Sequence, residues 1–159
     1  MEAWSFRGLV FLNERRFDPA RQAFERALAL DPVQFEARLG LGTLANLASN
    51  WREAILHLER ALAVRPRCYA ALFERCRAFY ESNELAPAEQ DCRAALDLGA
   101  GPQPELRLLL GNIYLRTQRL CEALEQFEAF LQLAPASAAA PHVQTVIQNL
   151  RGSLSQARR

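Results

Sequence analysis

The sequence has no lysine: all 19 of its basic residues are arginine. The exclusive use of arginine reads as the mark of a GC-rich coding sequence ahead of selection for bidentate contacts. Against 18 acidic residues the formal net charge is only +1, so no excess field draws in nucleic acid or an anionic membrane, and neither is expected as a partner. Histidine is nearly absent. His57 and His142 stand apart from any cysteine or carboxylate cluster that would make a catalytic set, and His57, with Glu53 one turn back, reads as a surface ion pair. Cys68, Cys76, Cys92 and Cys121 form no C-x2-C pair and have no histidine at metal-site spacing, so neither metal nor cofactor is expected. They are read as reduced thiols, which places the protein in the cytoplasm. Cys76 and Cys92, at facing small or core positions, read as buried apolar fillers ahead of a redox pair. No apolar run approaches 18 residues, and Met1-Glu2-Ala3-Trp4 lacks the basic start and apolar core of a signal peptide, so membrane insertion is not expected. The chain is also poor in paired acid, base and nucleophile, and no catalytic residue or enzyme activity is expected within it. Gly40-Leu41-Gly42-Thr43-Leu44-Ala45 superficially matches a dinucleotide fingerprint, but no strand precedes it.

What the chain does have is a period. Ala20 to Pro32 reads Ala-Arg-Gln-Ala-Phe-Glu-Arg-Ala-Leu-Ala-Leu-Asp-Pro, and 34 residues later Ala54 to Pro66 repeats Glu-Arg-Ala-Leu in register with a closing proline. A fixed offset of this size predicts stacked short helical units. The first unit has an apolar helix over Trp4 to Leu12 and a turn at Asn13-Glu14-Arg15-Arg16; Asp18 is the expected N-cap, with Pro19 in the first helical position of a helix running to about Leu30. The second has a helix from about Phe35 to Leu47 and another ending at Arg65-Pro66, begun by Asn50 and Glu53 in capping-box spacing. The third covers about Tyr69 to Leu98 and the fourth about Glu105 to Leu133. Between them Gly99-Ala100-Gly101-Pro102-Gln103-Pro104 is the expected hinge. Beyond Pro135, Val143, Val146, Ile147, Leu150 and Leu154 share one helical face, the pattern of a capping helix over about 141–157.

The small positions recur together: Gly8, Gly42, Cys76 and Gly111; Ala20, Ala54, Ala88 and Ala123; Ala27, Ala61 and Ala95. Bulky residues recur with them at Phe24, Leu58, Cys92 and Phe127, and Pro32, Pro66 and Pro135 close three units. On these residues the chain resembles a tetratricopeptide repeat array. The resemblance implies an all-α fold: a right-handed α-solenoid of helical hairpins in a single domain, with repeats at about 1–34, 35–68, 69–103 and 104–137 and the cap behind them. Arg7 and Arg75 depart from the pattern, standing where this chain elsewhere has Leu41 and Leu110. Their stems are expected to pack and their heads to reach a carboxylate or solvent. Phe130, at the place of Ala27, leaves no room for a further repeat and ends the array.

The resemblance also implies where function lies. In such arrays the first helices line a concave groove, and the partner is a protein or peptide. The groove residues carried over are Asn13, Leu39, Thr43, Asn46, Phe73, Arg77, Tyr80, Leu108, Asn112 and Arg116, with Ser5, Phe6 and Leu9 also on that side. Asn13, Asn46 and Asn112 are expected to serve a peptide backbone while Leu39, Phe73 and Leu108 take its side chains. Repeats that hold a chaperone's acidic tail use a clamp of Lys, Asn, Asn, Lys and Arg. The matching places here are Ser5, Leu9, Gly40, Ala70 and Glu74, so that partner is not expected. The leading expectation is a non-enzymatic adaptor or scaffold. The alternatives are a structural module self-associating through the first helix around Trp4, Phe6 and Val10, or a targeting fragment of a larger protein.

Overall fold

The computed structural model describes residues 2–99 and 103–156. Over them the chain forms helices α1 (Glu2–Asn13), α2 (Phe17–Leu30), α3 (Phe35–Leu47), α4 (Trp51–Val64), α5 (Tyr69–Glu81), α6 (Leu85–Asp97), α7 (Pro104–Arg116), α8 (Leu120–Leu133) and α9 (Ala140–Gln156), and no strand. Two compact units divide it, Met1–Asp91 and Cys92–Arg159, with the boundary inside α6. Of the expected hinge, Ala100, Gly101 and Pro102 lie outside the described residues.

Within unit one, α1 packs on α2, α2 on α3, α3 on α4 and α4 on α5, so each helix meets its neighbours in sequence. The glycines decide how closely. A Cβ added at Gly8 would stand 2.5 Å from the Phe24 ring, and one added at Gly40 would stand 2.3 Å from the same ring. Phe24 is fully buried between them with Ala20, Ala27, Ala37, Leu41 and Leu44. Gly42 admits Leu58 in the same way, at 2.6 Å. A side chain at these glycines would have to displace a buried neighbour, which is why the period keeps Gly8 and Gly42 small; Gly40 stands outside the period, at the place of Phe6, Glu74 and Leu109.

The turns between paired helices share one conformation. Arg15, Ser49, Asn83 and Gln118 each sit in the left-handed region, at φ 58°, 59°, 68° and 62°. The following amide in each case donates to the carbonyl five residues back: Arg16 to Phe11, Asn50 to Ala45, Glu84 to Phe79 and Arg119 to Tyr114, all at 2.8 Å. This is the Schellman closure, which uses helix carbonyls that would otherwise lack a donor. The helix starts differ from the sequence reading. α2 begins at Phe17 with Arg16 as its N-cap, so Asp18 and Pro19 lie inside the first turn, where a proline needs no amide hydrogen. No capping box forms at α4 either: Asn50 makes no side-chain cap bond. Glu53 instead accepts from Arg21 Nη1 at 2.7 Å, an ion pair from α2 to α4.

The same carboxylate lies 3.9 Å from His57 Nε2, and Arg38 Nη1 approaches His57 Nδ1 at 3.4 Å. Burial first, and then the Arg38 charge, holds His57 below its usual pKa of 6.5 despite Glu53. The unfolded chain therefore takes up this proton before the folded one does. Above pH 6.5 the site is neutral in both states and nothing is lost; as pH falls below 6.5 the unfolded state is favoured. Urea titrations of wild type and His57→Gln at pH 7.5 and pH 5.5 should show a smaller loss of stability in the variant. An equal loss in both would remove His57 as its source.

The two departing arginines find different ends. Arg75 Nε and Nη2 donate to Asp91 at 2.6 and 2.8 Å. Arg7 remains exposed and lies over the Trp4 and Phe11 rings, 5.5 and 5.4 Å from their centroids. Cys76 is fully buried and disulfide-bonded, not a thiol filler.

In unit two α7 packs on α8 and α8 on α9. A Cβ at Gly111 would meet the Phe127 ring at 2.5 Å. Ala140, Val143, Ile147 and Leu150 of α9 are buried, as are Phe127 and Phe130 of α8. Cys92 is buried and disulfide-bonded, whereas Cys121 here and Cys68 in unit one are free. Reduced thiols therefore no longer argue for a cytoplasmic protein. No helix among the described residues is long and apolar enough to cross a membrane.

Candidate functional site

The first helices of unit one are neighbours, α1 beside α3 and α3 beside α5, and their exposed sides form one face. A cavity of about 580 Å³ opens at its α1 end, lined by residues of α1, of the α2–α3 connection, of the start of α3 and of the end of α4. Its walls are apolar side chains with little cover: Phe6 is 69% exposed, Val33 67%, Val64 47% and Leu9 41%. At the rim, Arg65 Nη2 pairs with Glu36 at 2.9 Å, and its guanidinium lies 4.3 Å over the Phe35 ring. The floor has one polar atom without a partner, Gln34 Oε1. An apolar cleft with a single buried acceptor and a fixed ion pair is suited to taking apolar side chains and one hydrogen-bond donor.

None of the ten groove residues carried over in the sequence analysis lines this cavity. Seven belong to unit one. Asn13 is exposed at the end of α1, and Leu39 and Thr43 are half-buried on α3, where Thr43 Oγ1 donates to the Leu39 carbonyl at 3.0 Å. Asn46 is only 4% exposed; its Nδ2 donates to the Glu74 carbonyl at 2.8 Å and to Glu74 Oε2 at 2.7 Å, while its Oδ1 is buried without a donor. Arg77 Nη2 donates to the same Glu74 carboxylate at 2.6 Å. Glu74 is thus drawn inward by two donors. Phe73 stacks on Tyr69 with centroids 5.9 Å apart, and Tyr80 is half-buried nearby on α5. The other three belong to unit two, all on α7: Leu108 and Asn112 half-buried, Arg116 exposed.

Phe6 and Leu9 were placed on this face by their register. Val33 and Val64 were not. They lie in or beside connections between helices, where polar residues are usual, and an apolar residue next to Pro32 or just before Pro66 was the available signal. Among the described residues no group of His, Cys, Asp and Glu is arranged to hold a metal.

The tetratricopeptide repeat profile matches residues 7–55, 48–103 and 94–138, together most of the chain. The protein CTR9 homolog of Arabidopsis thaliana is 33% identical over 92 residues, which is 56% of this chain; the chain spans only 8% of that curated relative's length. The solved structures that share the fold include the following two. PilF of Pseudomonas aeruginosa superposes with a TM-score of 0.80 at 22% identity, over 98% of this chain and 69% of that one. TTC0263 of Thermus thermophilus, described as a thermophilic TPR protein, gives 0.72 at 23% identity, over 92% and 81%. With the paired helices, their left-handed turns and the glycine-on-ring contacts already described, these matches show that the chain belongs to the tetratricopeptide repeat family.

Proposed function

We propose that the protein is a non-enzymatic adaptor whose first-helix face holds an apolar segment of a partner protein. The fold suggests a scaffold for protein–protein interaction. The observation that carries the finer reading is the cleft walled by Phe6, Leu9, Val33 and Val64. Each such side chain gains about 1.5–3 kcal/mol when fully buried, and association costs consume much of that sum. The outcome is affinity of the order of micromolar, as suits a reversible adaptor. The partner donates one hydrogen bond to Gln34 Oε1 and sets two or three apolar residues against the cleft. Leu39, Phe73 and Tyr80 continue the contact along α3 and α5, and Asn46, fixed by Glu74, holds the two helices in register beneath it.

Because apolar contact dominates, binding should tolerate salt. The test is capture from the native cell extract, read by mass spectrometry, with the wild-type chain, with Phe6→Glu combined with Leu39→Glu, and with Glu59→Ala on the exposed side of α4 as control. A partner held by wild type and control in 0.5 M salt and lost from the glutamate variant is the expected result. Equal capture by all three would place binding elsewhere.

A further inference from the structure

Unit one has a second cleft, between α1 and α2, and unit two contains the same cleft in a closed form. In unit two, Leu110, Tyr114, Arg119, Glu122 and Gln126 of the α7–α8 pair line a cavity of about 280 Å³, whose remaining wall is Arg93, Leu96 and Asp97 of α6. Shifted by 103 residues, those five positions are Arg7, Phe11, Arg16, Pro19 and Ala23, and all five line the α1–α2 cleft of about 260 Å³. The closing helix is what differs. Among the described residues, those lining the α1–α2 cleft come from α1, α2 or the turn between them.

The charge differs as well. The closed cleft is balanced: Arg119 hydrogen-bonds Glu122 and holds its carboxyl below the usual range, and α6 brings both a cation and an anion. In the open cleft Glu122 is replaced by Pro19 and Leu110 by Arg7, and among the described residues the lining holds three arginines, Arg7, Arg16 and Arg26, and no carboxylate. Arg16 has Glu14 at 3.3 Å, outside the lining; among the described residues no carboxylate lies within ion-pair distance of Arg7 or Arg26. Their guanidiniums rest on aromatic faces instead, Arg26 at 4.9 Å and Arg7 at 5.5 Å over Trp4, and Arg16 at 4.6 Å over Phe11. Arg7 and Arg26 are thus spread flat across the cleft with their edges directed to carboxylates of an incoming segment, while Arg16 is held by Glu14.

We infer that the α1–α2 cleft docks an acidic amphipathic helix of a partner protein, seated as α6 is seated against α7 and α8. The helix sets a leucine, the counterpart of Leu96, between Trp4 and Phe11. It carries carboxylates one turn apart toward Arg7 and Arg26, where α6 carries Arg93 and Asp97. This surface is distinct from the Phe6–Val33 cleft, and its occupant is the opposite in character: bound through charge and lost in salt.

The probe is a labelled synthetic peptide of residues 84–98 with Cys92→Ser and Arg93→Glu, titrated into the full chain at low salt and followed by fluorescence anisotropy. A matched peptide keeps Arg93 and carries Asp97→Arg. The acidic peptide should bind at least about tenfold more tightly, and that preference should reverse in the Arg7→Glu, Arg26→Glu double variant. Both arginine side chains are exposed, so circular dichroism should show the variant folded. Phe6→Glu should leave the peptide's affinity unchanged, which separates this site from the groove. Three results would overturn the inference: no preference between the peptides, loss of binding in Phe6→Glu, or a wild-type dimer that Arg7→Glu dissociates, since the occupant would then be a second copy of the chain.

Discussion

Replacing Phe24 by alanine should destabilise the first unit by about 3–5 kcal/mol, the largest loss expected of any single apolar truncation in the chain. The reason lies in what surrounds the ring. Phe24 is fully buried, and it touches α1 at Gly8 and α3 at Gly40 at the same time. Most core cavities shrink because neighbouring side chains lean in. Here two walls are glycine and have no side chain to move, so the void stays open and costs the full contact loss. A loss of that size is a large part of the about 5–15 kcal/mol by which domains of this kind are stable. In a stacked array it also removes the link by which one helix pair supports the next. Phe127→Ala is the natural comparison: its ring is as buried but meets a single glycine, Gly111. Thermal and urea unfolding followed by circular dichroism should show Phe24→Ala as clearly the more damaging of the two. Equal losses would mean that the second glycine contact contributes nothing.

The contact of Phe24 with Gly8 was legible in the sequence; its contact with Gly40, and others between hairpins, were not. The 34-residue offset fixed which residues had to be small, and the structure supplies the bulky partner that each small residue admits: Phe24 for Gly8, Leu58 for Gly42, Phe127 for Gly111. Such pairs lie within one helical hairpin, so local period predicts them. Interactions between hairpins escape the period. Asn50 and Glu53 have the spacing of a capping box, yet Glu53 turns to Arg21, 32 residues earlier, because only stacking brings that guanidinium within reach. Asn46 has the register of an open face and is nonetheless buried, since Glu74 of α5 supplies two acceptors to its amide. Val33 is the converse, a connection residue that periodicity assigns to no face and that the structure leaves two-thirds exposed in a cleft. The clefts themselves were invisible for the same reason: each is made where a helix pair meets a connection or where no further helix among the described residues covers it, and no repeat pattern records a neighbour.

Arg75 and Asp91 make the second large effect, and its sign depends on how many of the two are changed. The pair is bidentate, at 2.6 and 2.8 Å, with the Asp91 side chain 7% exposed and the Arg75 side chain 21%. Removing Arg75 alone leaves a buried carboxylate with no counter-ion, and such losses run to about 3–5 kcal/mol, toward the lower end here because solvent reaches the arginine. Removing both is a different experiment. The equivalent positions in the α7–α8 pair are Leu110 and Gln126, a leucine and an uncharged amide with no ion pair between them. Arg75→Leu with Asp91→Gln should therefore recover most of the stability that Arg75→Leu loses, finishing within about 1 kcal/mol of wild type, since a buried ion pair rarely outperforms well-packed neutral side chains. Urea unfolding of the wild type, the two single variants and the double variant gives the coupling directly. If the double variant is as unstable as Arg75→Leu, the ion pair itself is stabilising. If neither single change costs more than about 0.5 kcal/mol, the pair is worth no more than a solvent-exposed one and the expectation fails.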